Sequence, residues 1–188
     1  MVNDVLANGS RAAHDWGLAS YLGGVMFGKF ALPGAVRALP DKTDRGTVTN
    51  RAWNGYNAIN AVSLAAVAGG WAAARATEAR PDRLTQRERL LATIKDGFVA
   101  STVVSGALSG VQGARLAKQG PNGAVPMETG VIPAEETPSS AARIQRSLGW
   151  LGNLSIASGV GLVITNAILA QTDHSRPPLR RAVLRRNR

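Results

Sequence analysis

Residues 147–172 read SLGWLGNLSIASGVGLVITNAILAQT, a run without a single Asp, Glu, Lys or Arg. An α-helix rises about 1.5 Å per residue and needs about 20 residues to cross the hydrocarbon core of a bilayer. This run is long enough, and helices buried in a water-soluble core are rarely uncharged for so long. Three other stretches share its character. Residues 16–36 carry one charge, Lys29, whereas residues 52–74 and 97–114 carry none. The pattern predicts an all-α, polytopic membrane protein with four transmembrane helices in an antiparallel bundle, spanning about 16–36, 52–74, 93–114 and 147–172. Residues 1–175 form that domain, and 176–188 form a basic tail.

Average composition hides this. Of the 188 residues 45% are apolar, and the mean hydropathy of -0.04 is that of an ordinary soluble chain. The mean sums neutral runs with the charged segments between them. Much of the apolar content is Ala, with 21 Gly beside it, which would bury little area in water, where burial stabilises by about 25 cal/mol per Å². The absence of Cys excludes disulfides, iron-sulfur clusters and thiolate zinc sites. A net charge of +10 raises nucleic acid as a partner, but the basic residues sit in short blocks beside apolar runs and no nucleic-acid motif accompanies them. Membrane lipids are the expected partners and nucleic acid is not. The start, Met1-Val2-Asn3-Asp4, has no basic region and no cleavage site, which argues against a cleaved signal peptide.

Tryptophan favours the boundary between lipid and water, and Trp16, Trp53, Trp71 and Trp150 all fall near predicted span ends. Basic residues are retained on the cytoplasmic side. With the N-terminus inside, the inner segments hold 13 Lys and Arg and the outer ones 8. Both termini are therefore expected in the cytoplasm, with Arg180, Arg181, Arg185 and Arg186 of the tail against lipid headgroups. The run Thr85-Gln86-Arg87-Glu88 reads as a capping box opening the third helix in water. Residues 119–140, with four Pro, three Gly and Glu128, Glu135 and Glu136, read as an irregular, acidic outer loop.

Helices in lipid attract each other through close contact of small residues. Four-residue spacing lines up Ser20, Gly24 and Gly28 on the first helix and Ala61, Ala65, Gly69 and Ala73 on the second. The third carries Gly97, Ser101, Ser105, Ser109 and Gly113 beside Thr102, Gly106 and Gly110, and the fourth Asn153, Ala157, Gly161 and Thr165. The second and fourth helices both open with Arg, Trp and Asn (Arg51, Trp53, Asn57; Arg146, Trp150, Asn153), a weak hint of duplication.

Charged and amide groups inside spans are the candidates for chemistry. Lys29 lies about 20 Å past Trp16, where its stem can snorkel to the outer headgroups or its charge can serve a function. Pro33 cannot donate to the carbonyl of Lys29, which predicts a kink. Asn54, Asn57 and Asn60 recur on the outer half of the second helix, either as glue between helices or, with Lys29, as a polar ligand vestibule. Asn166 and Thr165 receive the same two readings. Asp96 is expected to pair with Arg75 or Arg11, a relay role lacking a visible second member. The two His, His14 and His174, lie outside the spans, so ligation of an intramembrane haem by two His is not available. Neither a phosphate loop nor a Ser-His-Asp set is present, and the first span lacks the carboxylate on which small multidrug exporters rely.

Gly23-Gly24-Val25-Met26-Phe27, followed by Pro33 and a Lys at the head of the third helix, resembles the loose pattern of small bacterial four-helix membrane proteins related to copper-resistance CopD. The resemblance covers the helices only. Metal chemistry of the kind suggested for that family would need His or Met ligands, and of the 3 Met only Met26 falls in a span, so no cofactor or metal is expected. A bias to Ala, Gly and Arg is typical of a high-GC bacterial genome and points to the plasma membrane. The leading functional expectation is a non-enzymatic accessory subunit packed against other integral membrane subunits of a respiratory or transport complex. The alternative is a small transporter or ligand-binding protein with an outer pocket around Lys29, Asn57 and Asn60.

Overall fold

The neutral runs become long helices whose starts are capped by the polar residues just before them. In the computed structural model, which describes residues 2–174, α3 (Lys42–Ala76) begins at Asp41, whose carboxylate accepts from the amides of Thr43 at 2.7 Å and Asp44 at 2.9 Å. The helix α4 (Gln86–Ala117) begins at Thr85 with the expected capping box, the Thr85 amide donating to Glu88 at 2.9 Å. The last helix, α5, runs Ser139–His174. The four tail arginines, Arg180, Arg181, Arg185 and Arg186, and His174's side chain lie outside the described residues.

The first helical rod is interrupted. Regular helix α1 (Val2–Met26) gives way to a π turn, Phe27–Ala31, and resumes as α2 (Leu32–Arg37). The Leu32 amide bonds back to the Phe27 carbonyl, five residues earlier, just before Pro33, which has no amide to offer. The helix thus absorbs Pro33 by widening one turn. It also divides the apolar stretch 16–36 among three elements, and α1 is not among the helices that by themselves are long and apolar enough to cross a membrane. Among the described residues those are three: α3, α4 and α5.

Helix α1 packs antiparallel on α3 and α4 antiparallel on α5, and the pairs meet through α3 with α4 and α1 with α5. The N-terminus and the described end of α5 therefore share one end of the bundle. The opposite end is closed by residues 119–140, and here the expected irregular loop is corrected. Met127–Thr129 pairs antiparallel with Ile132–Pro133, and Val125, Met127, Thr129, Ala134 and Thr137 are buried. Hydroxyls supply the order that Pro and Gly deny the backbone: Thr137 Oγ1 accepts from the Ala134 amide at 2.8 Å and donates to the Pro126 carbonyl at 2.6 Å. Gly46 is the seat, since a Cβ there would lie 2.1 Å from the Val125 carbonyl oxygen.

Outward faces carry large apolar residues, among them Phe27, Phe30, Val62, Val104, Val163 and Ile164. Inward faces combine Leu18, Val67, Trp71, Val99 and Leu162 with buried Ser63, Thr102, Ser105, Ser155, Ser158 and Thr165. The small-residue stripes act partly as expected. Gly24, Gly28 and Gly161 make room for rings, because a Cβ would lie 2.1 Å from Tyr56, 2.3 Å from Trp53 and 2.5 Å from Phe98. Gly106 meets the Tyr21 hydroxyl and Leu64. Gly69 and Gly110 are different: nothing lies within 4 Å of either Cβ position. The seam between α1 and α3 runs one residue over, through Gly70 against the Ser10 carbonyl and Gly17 against that of Ser63.

Candidate functional site

At the hairpin end all four helical rods diverge around a cavity of about 420 Å³. Its α3 wall is polar. Asn50, Asn54, Asn57 and Asn60 fall at helical spacing on one face, with Thr49 beside them. The π turn presents Lys29 and Gly28 from the facing rod, and Phe27 and Phe30 of the same turn point outward. The α4 and α5 walls are small and mostly apolar, with Gly106, Ala107, Gly110, Gly113, Leu148, Gly149 and Gly152 beside Ser109 and Ser155. The hairpin roofs the space with Met127, Gly130 and Val131. Of the lining residues Lys29 alone is ionised, and among the described residues it has no ion-pair partner. Thr49 is 6% exposed, and neither its hydroxyl nor Asn60 Oδ1 has a hydrogen-bond partner among the described residues. Buried polar atoms in that condition are costly unless something bonds them.

The cavity floor is a set of hydroxyls. The Tyr21 hydroxyl donates to Ser155 at 2.9 Å, Ser155 and Ser105 share a bond of 2.9 Å, and Thr102 donates to Ser158 at 2.9 Å. All five groups are buried. Each takes part in a bond to another hydroxyl, which leaves this cluster as interhelical glue.

The roof is clamped by charge. Lys42 reaches Glu128 at 3.2 Å and Glu136 at 3.1 Å, and Arg45 reaches Glu128 at 2.8 Å. Hydrogen bonds from Lys42 hold the Glu128 carboxyl below the usual carboxylate range. Glu136 is lowered as well, first by its own amide and then by Lys42. Those same two carboxylates raise the Lys42 ammonium above its ordinary value.

A second polar cluster occupies the opposite end of the bundle. Lys95, 3% exposed, donates to Asn166 Oδ1, and the Asn166 amide donates to Asp15 at 2.6 Å. The Lys95 ammonium also lies 4.1 Å from the centre of the Trp71 ring. Trp71 donates to Asp96 at 2.7 Å, and Asp96 pairs with Arg75 at 3.2 Å. Trp71 is thus a buried member of this cluster and not a ring at the lipid boundary. His14, just before the first expected span, is buried on the inner face of α1, its Nδ1 2.8 Å from the Val67 carbonyl.

The candidate residues therefore divide between two places. Lys29, Asn57 and Asn60 meet on one cavity wall, whereas Asp96 and Asn166 belong to the far cluster. Asn50 and Thr49 escape the sequence reading because it starts the second span at residue 52, ten residues inside the real helix. The links of Asn166 to Lys95 and to Asp15 escape it, because no local pattern joins residues 71 and 151 apart.

Met26 is exposed, and among the described residues no group of three or more His, Cys, Asp and Glu could hold a metal ion. No family model, curated protein or solved structure matches this chain, so the likeness to CopD-related proteins rests on the quoted residues alone.

Proposed function

We propose that this chain is a polytopic membrane protein that binds a small molecule in the cavity between its helices, as a carrier or a receptor and not as an enzyme. The observation that carries the reading is the cavity wall, where Lys29, Asn57 and Asn60 face small apolar surfaces across about 420 Å³. Sites of this size, mostly apolar with a few convergent polar groups, are where proteins hold small ligands. Lipid as the solvent is supported by the three long apolar helices and by outward faces that carry large apolar side chains while hydroxyls are buried inside. A fourth crossing would be the rod through the π turn, residues 16–36, about 30 Å long. The basic residues favour cytoplasmic termini and an external hairpin, and composition favours a bacterial plasma membrane.

The test is mass spectrometry of the full chain released from membranes in mild detergent. A retained small molecule, lost in Gly110→Leu, is the expected result. An empty protein that no member of a broad ligand panel stabilises overturns the reading.

An accessory-subunit role is favoured by a different observation. Gly69 and Gly97 have open space where a side chain would stand, so other integral membrane subunits have backbone to approach closely. Co-purification of a stoichiometric partner in mild detergent supports it, and a monodisperse lone chain counts against it.

A further inference from the structure

The shape and chemistry of the cavity narrow what it takes. Along α3 the lining extends from Gly46 to Leu64, about 27 Å at the helical rise. The cavity is thus drawn out along the helices, the proportion of a chain and not of a disc. Its long walls differ: one carries a stripe of asparagines among Trp53, Ala61 and Leu64, and the other is mostly glycine, alanine and leucine, with Ser109 and Ser155. The lining has one cation and no carboxylate.

Resting on the ligand-binding reading above, we propose that the slot holds a single-chain amphiphile with one anionic head, the head on the Lys29 ammonium and the chain along the small-residue wall of α4 and α5. An ammonium on a wall without a carboxylate is free to form a charge-assisted hydrogen bond with an arriving anionic head. Asparagine amides on the facing wall donate to the remaining head oxygens. Gly110, Gly113 and Gly152 line the opposite wall with nothing within 4 Å of their Cβ positions, which leaves the width a methylene chain fills. A fatty carboxylate and a lysophosphatidate share this chemistry; a fatty alcohol and an alkylamine do not.

The experiment uses the full chain in nanodiscs of phosphatidylcholine, a zwitterionic lipid, and measures displacement of a fluorescent fatty acid by palmitate, a C16 lysophosphatidate, hexadecanol and hexadecylamine. Palmitate or the lysophosphatidate is expected to bind at least about tenfold more tightly than hexadecanol, and hexadecylamine most weakly; whichever of the two acids wins identifies the head. Lys29→Gln abolishes the advantage of acid over alcohol, Lys29→Arg keeps it, and Lys29→Glu transfers it to the amine. Gly110→Leu fills the slot and weakens all four ligands together. Equal binding of acid and alcohol in the parent chain overturns the head assignment and leaves the ligand-binding reading standing. Failure of every probe overturns the amphiphile assignment, and the ligand-binding reading then stands or falls on the broad panel above. Circular dichroism of each variant separates loss of binding from loss of fold.

Discussion

The ammonium of Lys95 stands over the face of the Trp71 indole, and the same indole donates its N–H to Asp96, the residue next to Lys95 in sequence. Adjacent residues on a helix point in different directions, so one ring on α3 holds both. The opposite side of Lys95 is held by Asn166, which passes the contact on to Asp15. Asn166→Leu leaves a buried ammonium without its oxygen partner, and a loss of about 3 kcal/mol is expected. Adding Lys95→Met removes the stranded charge and recovers most of that loss. Unfolding in detergent, followed by Trp71 fluorescence, measures both.

Glycines at ring seats and glycines in open space respond oppositely to a methyl group. Gly161→Ala drives a carbon into Phe98 and is expected to cost about 1–3 kcal/mol, relieved by Phe98→Leu. Gly69→Ala meets nothing and stiffens a helix interior, so it stabilises by about 0.5–1 kcal/mol. Thermal unfolding of the two single variants decides whether Gly69 lies at an interface in the isolated chain; destabilisation by Gly69→Ala would mean that it does.

Gln145 is fully buried, and neither atom of its amide has a hydrogen-bond partner among the described residues. Unpartnered buried amides cost about 1–3 kcal/mol. Gln145→Met keeps the volume and removes the polar atoms, and stabilisation of about 1 kcal/mol or more is expected in the same unfolding assay. A loss of stability would show that the amide has a partner in the folded protein.

Acid should release the roof of the cavity. Glu128 and Glu136 have lowered values in the fold relative to the ordinary 4.5, so the stability they contribute is complete above that value. It declines as pH falls below 4.5 through their folded values. Amide exchange of residues 124–137 is expected to speed up over that window more than exchange at the centres of α4 and α5. Lys42→Met should raise the exchange at neutral pH and blunt its dependence on acid.

The neutral runs announce their helices because nothing else explains such lengths of chain without charge, and Thr85 with Glu88 announces where α4 begins. The meeting of Lys29, Asn57 and Asn60 is legible for the same reason, since helical spacing places the amides on one face and Pro33 marks the disturbed turn. Other features depend on information that no single segment carries. Lys42 and Arg45 precede the neutral run at 52–74, yet they belong to helix α3 and reach out to hold Glu128 and Glu136. Residues 119–140 look unstructured by composition, yet their apolar side chains at 125 and 127 are ordered by a floor that α3 provides. Which glycine of the pair Gly69 and Gly70 touches α1 depends on the rotation of two helices, and a stripe in sequence does not record it.

Where the Val125 backbone rests on Gly46, the connection between the last two helices is fastened to the second rod of the first pair, at the end far from the link 77–85. The two halves of the molecule are thus joined by the peptide chain and by helix contacts, and at the far end by this clasp. A chain severed within that link would keep the clasp, together with the contacts of α1 with α5, and its halves, made as separate polypeptides in one membrane, would find each other again. Gly46→Val would deprive them of that means of reunion while leaving the intact chain tethered through its covalent link.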